Sequence, residues 1–269
     1  FTILWRVMKM SGVLYRKELR TNFPLIFLFL MIITMYATII ISMYDPNMNS
    51  SLQVLAKSMP EIFAAFGMMN VSSSLIDFIT NYLYGFLLII FPFLLNVILC
   101  YRLMGKYIDH GSMAYLLSTP IGRRKIVMTQ YLVLLTAMLI VVMYTFVLIV
   151  LLSFLMVSEE SLDIIHFLYV NIGLLALQYF LGSLCYLSAL IFNEARLSIG
   201  IGAGINILFI MIWMLSQVGD QLEILHYLTP LSLFDPQLLS TGDGQSWLYI
   251  FVLLLCSGIV IVLGQWIFQ

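Results

Sequence analysis

The chain has 269 residues, of which 62% are hydrophobic and only 9% charged, with a mean hydropathy of +1.07. Soluble domains carry about 25% charged residues, so a water-surrounded globular fold is excluded and the composition demands a bilayer. The net charge of −1 is uninformative as a total; the placement of the charges is what carries information.

A spanning helix needs about 20 predominantly apolar residues. The opening stretch, 1–22, sets Arg6, Lys9, Arg16 and Arg20 at helical spacing with Leu4, Val7, Met8 and Leu14 on other faces. That pattern predicts an interfacial amphipathic helix, broken at Ser11-Gly12, which also serves as a topology-setting flank. It is basic throughout and lacks a small-residue cleavage pattern, so no signal peptide is predicted. The chain begins on Phe and ends inside an apolar run, which predicts further sequence beyond both ends. The first span is predicted at 23–44, with Pro24 near its first turn.

The outer segment 45–77 follows, with Leu52, Leu55, Met59, Ile62, Phe63 and Phe66 in helical period, predicted to lie on or dip into the membrane surface. Further spans are predicted at 78–100, 131–157, 165–192, 198–218 and 247–268. The segment 219–246 carries Thr229-Pro230 and Asp235-Pro236 between apolar clusters. Each proline disfavours helix at the residue before it, so short helical pieces and a partial re-entry are expected there. The fold class is an all-α membrane protein of six transmembrane helices, forming a single transmembrane domain over 1–269.

Lys and Arg accumulate on the cytoplasmic side. With the N-terminus inside, Arg6, Lys9, Arg16, Lys17, Arg20, Arg102, Lys106, Arg123, Arg124, Lys125 and Arg196 are all cytoplasmic, and only Lys57 is outside. Both termini are therefore expected in the cytoplasm of a multi-pass cell-membrane protein.

Several chemistries lack residues. No GxxxxGK[ST] cradles a nucleotide phosphate and no HExxH holds zinc. His110, His166 and His226 are scattered. Cys100, Cys185 and Cys256 lie far apart in apolar runs, without CxxC, and read as small buried residues. No metal site and no catalytic residue is expected. The spans hold almost no ionisable groups, which argues against an ion-coupled carrier.

One stretch breaks the apolar pattern on the cytoplasmic side: "GSMAYLLSTPIGRRK", residues 111–125. Ser112 can cap a short helix over 113–118, stopped by Thr119-Pro120 and a turn at Gly122. Arg123, Arg124 and Lys125 then snorkel at the start of span three. An ordinary basic loop reads the same by composition alone.

The longer run "MGKYIDHGSMAYLLSTPIGRRKIVMTQ" resembles the corresponding loop of ABC exporter permeases of the type-2 class, also called type V. The matching positions are Asp109, Gly111-Ser112, Leu116-Leu117, Ser118-Thr119-Pro120, Gly122 and Arg123. Three further stretches resemble the family in order: "SMPEIFAAFG" at 58–67, "NEARLSIGIGAG" at 193–204 and "LTPLSLFDP" at 228–236. The sequence departs from the family at Lys106 and Tyr115, near places where Glu is frequent, and at Gln130, near a frequent Lys.

The resemblance implies a permease subunit of an ATP-driven exporter, paired with a second, identical or related permease and with separate ATP-binding subunits. ATP and Mg would be bound by the partner, and no cofactor by this chain. Residues Met113, Leu116, Leu117, Ser118, Pro120 and Arg123 would couple to the ATPase, with Asn193, Glu194 and Arg196 as a second contact. The path would run at the dimer interface, around spans two and five. Its candidate lining is Asn81, Tyr84 and Asn96 in span two, where Pro92 allows a kink, and Asn206, Trp213 and Gln217 in span five. Gly200 and Gly204 would permit close packing. Buried Asn and Gln serve equally as interhelical glue. An amphipathic peptide (lantibiotic, bacteriocin or toxin) is the expected cargo, a hydrophobic drug the second; no nucleic acid is expected. The alternative is a membrane-embedded peptide-sensing or immunity protein without net transport.

Overall fold

The computed structural model describes residues 11–44, 58–65, 74–109, 122–157, 162–192, 194–218, 225–242 and 244–267. These residues are helical throughout, with no strand among them. Six helices are long and apolar enough to cross a membrane.

Helix α1 (Gly12–Ser42) begins at Ser11, whose Oγ accepts from the Leu14 amide. The sequence places an interfacial helix over 1–22, broken at Ser11-Gly12, and a span over 23–44; the structure runs one helix from Gly12 through the boundary between them. The reason is physical: polar residues do not stop a helix, and nothing between Gly12 and Pro24 removes a backbone donor. Pro24 therefore sits inside α1 rather than at its first turn. Residues 1–10 of the expected interfacial helix lie outside the described residues.

Helix α2 (Pro60–Ala65) precedes span two, which is built in pieces. α3 (Leu75–Ile79) is capped by Ser74 and runs into a π-helical turn, Thr80–Tyr84. α4 (Leu87–Cys100) follows, then a second π turn, Tyr101–Gly105, and α5 (Lys106–Asp109). The irregular turns lie at the two ends of α4, and Pro92 sits within the helix. π turns recur at functional sites.

α6 (Arg123–Met156) has 34 residues, about 50 Å of helix against roughly 30 Å of hydrocarbon. It must project from the bilayer or tilt. α7 (Ile164–Ile191) starts at Asp163, which caps the Ile165 and His166 amides. Its hydrogen bond with His166 holds the Asp163 carboxyl below the usual range.

α8 (Ala195–Ser216), a 3-10 turn (Pro230–Leu233), α9 (Pro236–Thr241) and α10 (Gly244–Ile267) complete the chain. Short helical pieces thus occupy the described part of 219–246.

α7 is the hub. It packs against α10, α8, α4, α6 and α9, while α1 packs mainly on α6. Small residues at its contacts let neighbours approach; at Gly182 an added Cβ would lie 2.9 Å from Asn96 Oδ1 and from Leu134 Cδ2. Successive spans alternate in direction. The Ser11 amide donates to Thr129 near the start of α6, and Gly105 abuts Ala195 at the start of α8, so these points share one end. The Tyr44–Phe78 ring contact joins α1 to α3 at the other.

Candidate functional site

At the first end of the bundle, positive charge gathers. Arg123, Arg124 and Lys125 form the exposed first turn of α6, and Arg196 sits exposed in the first turn of α8. Cations at helix N-termini oppose the macrodipole and cost a few tenths of a kcal/mol each, up to about 1. These residues therefore do not stabilise their own helices, and their value lies elsewhere.

Glu194 is the N-cap residue of α8 and makes no side-chain cap bond. Its neighbour Ala195 has its Cβ against the Gly105 position, at the base of span two from which the segment 110–121 departs. The two stretches read as cytoplasmic contacts thus share this end at their described edges. Met113, Leu116, Leu117, Ser118 and Pro120 lie outside the described residues, as does Asn193. Tyr107 donates to Glu18 Oε1 at 2.5 Å, tying α5 to α1 at the same end.

At the opposite end, spans two and five converge. Asn81 in the first π turn and Trp213 and Gln217 at the end of α8 line a cavity of about 120 Å³ with Thr80, His226 and Gln237. Gln237 Nε2 donates to Asn81 Oδ1 at 2.7 Å, and Asp235 caps α9 through the Gln237 and Leu238 amides. A space of this size holds several waters.

Three other candidates for the path turn inward instead. Tyr84 is fully buried and donates to Asn171 Oδ1 at 2.9 Å. Asn96 Nδ2 donates to Gln178 O and Oε1, both at 3.1 Å. Asn206 Nδ2 faces Leu181 O at 3.1 Å and Gly202 O at 3.0 Å. These side chains join span two and span five to α7. Gly200 and Gly204 meet no atom within 4 Å; the close approach is at Gly202, where a Cβ would collide with Ser188 Oγ and lie 3.1 Å from Cys185 Cα.

The sequence reading missed Gln237, His226, Thr80 and Gln178. Asp235-Pro236 was the available signal for Gln237, because a capped Pro-led helix fixes the direction of its second residue. Gln178 had no local signal. Among the described residues, no group of three or more His, Cys, Asp or Glu could hold a metal.

Six apolar helices with α7 as their hub, and cations gathered at one end, define a multi-pass membrane protein. The chain belongs to the ABC-2 family of transporter proteins, whose family model matches residues 15–269. It is thus a membrane permease subunit, and family membership implies partnership with ATP-binding subunits. A search of curated proteins returned no match.

Proposed function

We propose that this chain is the membrane half of an ATP-driven exporter, forming one transmembrane domain with both termini in the cytoplasm. Two such permeases, identical or related, enclose the path, and separate subunits bind ATP and Mg. The observation that carries this reading is the placement of Arg123, Arg124, Lys125 and Arg196 at the N-termini of α6 and α8, where they oppose the helix dipoles. Cations kept there at a cost to their own helices suit the inner membrane face and a docking partner. The segment 113–118 is the coupling element, with Leu116 and Leu117 as its apolar anchor and Glu194 and Arg196 as the second contact. ATP-driven closure of the partner moves this element as a lever and biases the permease pair between two access states. The cargo is an amphipathic peptide of the lantibiotic, bacteriocin or toxin kind, or a hydrophobic drug.

Dimerisation uses the outward face of α8. Ile201, Ile205, Leu208, Met211 and Leu215 are exposed on it, and Gly200 and Gly204 are open. Small residues spaced four apart let membrane helices approach closely. The alternative reading is a membrane-embedded peptide-sensing or immunity protein in which a peptide is bound and nothing crosses.

The coupling assignment is tested with Leu117→Asp. An apolar anchor desolvated in a groove contributes about 2 kcal/mol or more, so binding of the ATP-binding subunit should weaken about 30-fold. The spans should insert unchanged. Copurification of that subunit at full stoichiometry with the variant would defeat the assignment.

A further inference from the structure

A second, larger cavity lies at the basic end, between α1 and the end of span two, and encloses about 650 Å³. Lys17, Glu18 and Asn22 of α1 face Arg102, Lys106 and Tyr107 across it. That volume falls within the range of small-molecule sites, and inorganic phosphate alone would leave most of it empty.

Its charge is unbalanced. Lys17, Arg102 and Lys106 are exposed cations that form no ion pair among the described residues, where His166–Asp163 is the sole pair. The one carboxylate among the described lining residues, Glu18, is 4% exposed and accepts from Tyr107. It would repel an anion, but three cations outnumber it. Like charges gathered around one space repel each other unless an anion lies between them.

A second observation concerns Asn22, which is 1% exposed and lines the cavity. Its Nδ2 donates to Glu18 O at 2.9 Å, but its Oδ1 has no partner among the described residues. A buried acceptor left unpaired is destabilising. Among the described residues, the cavity thus carries more positive charge than Glu18 can balance and an acceptor, Asn22 Oδ1, with no donor.

A third observation locates apolar surface beside these groups. Lys17 and Thr21 continue along one exposed face of α1 into Pro24, Leu28, Met31 and Met35, at spacings of three and four. On span two, exposed Leu94 lies seven residues before exposed Tyr101. Each helix thus presents lipid-facing side chains that lead to the cationic opening.

We infer that this cavity binds the headgroup of an anionic phospholipid of the adjoining leaflet. The phosphodiester lies among Lys17, Arg102 and Lys106, a headgroup hydroxyl donates to Asn22 Oδ1, and the acyl chains follow the two apolar stripes. The inference needs only that the chain spans a bilayer. It stands or falls independently of the exporter reading.

The test is native mass spectrometry of the full-length chain in detergent, titrated with phosphatidylglycerol, phosphatidylcholine and phosphatidylmethanol of matched acyl chains. Phosphatidylglycerol should bind tightest. Phosphatidylmethanol, with equal charge but no hydroxyl, should bind severalfold more weakly. A basic residue near a membrane surface contributes about fivefold in binding, so Arg102→Gln with Lys106→Gln should weaken phosphatidylglycerol about 25-fold. Lys17→Gln, on the other helix, should weaken it about fivefold and serves if the double variant is not monodisperse. Arg16→Gln with Arg20→Gln, exposed at the same end but not lining the cavity, should change it less than twofold. Equal loss in both double variants would reduce the effect to general surface charge and overturn the site. Displacement of the lipid by millimolar glycerol 3-phosphate would assign the cavity to a free phosphate compound instead. Unchanged lipid binding with loss of the ATP-binding subunit would make it a protein-docking pocket, and would equally overturn the proposal.

Discussion

Pro92 has no amide to offer the carbonyl of Leu88, four residues earlier. Gln178 supplies one from α7: its Nε2 approaches Leu88 O at 3.4 Å and Ile89 O at 2.9 Å, while its Oε1 accepts from Asn96. A proline inside a membrane helix is tolerated when a neighbour re-satisfies the freed carbonyl, and here the helix continues through Pro92 without a break. Gln178→Leu should therefore destabilise the protein by about 1–2 kcal/mol, and by distinctly less in a Pro92→Ala background, where the helix amide returns. Thermal unfolding in detergent of the four members of that cycle measures the coupling; equal losses in both backgrounds would refute it. Pro92 and Asn96 were visible as irregularities in an apolar run. Gln178 was not, because its partners lie roughly 90 residues away in the chain, and an isolated amide in a span looks alike whether it binds a neighbour helix or lines a path.

At the level of elements, α8 shows where periodicity informs and where it stops. The spacing of Asn206, Trp213 and Gln217 marks one face of the helix. It does not say whether that face meets the chain's own bundle or another subunit. Asn206 and Trp213 are buried against their own chain, and Gln217 is half-buried at the outer cavity. The outward face belongs to Ile201, Leu208 and Leu215. Cysteines at these three positions should therefore crosslink two copies, or a copy and a related permease, in membranes, and a cysteine at Asn206 should not. The reverse pattern would remove α8 from the interface. The starts of helices were the least legible part. α1 begins at Gly12, because the Arg16–Asn22 polarity that reads as a boundary to a hydropathy scan is no obstacle to helix formation.

For the whole molecule, the six apolar runs and the asymmetry of the basic residues were plain in the sequence, since bilayer thickness and charge placement act on composition directly. The two cavities were not, because each is assembled from helices distant in the chain. Under the proposed function, energy would arrive at the Arg123 end through the segment 113–118, and cargo would leave past the convergence of spans two and five at the other. Reconstitution of the chain with its ATP-binding subunit in liposomes, loaded with a panel of amphipathic peptides, tests this most directly. Peptide accumulation across the bilayer should require ATP, at least one peptide should accelerate ATP hydrolysis, and Leu117→Asp should abolish both. A complex that binds peptide at its outer surface yet moves none, with ATP hydrolysis indifferent to every member of the panel, would contradict export and leave the sensing reading in its place.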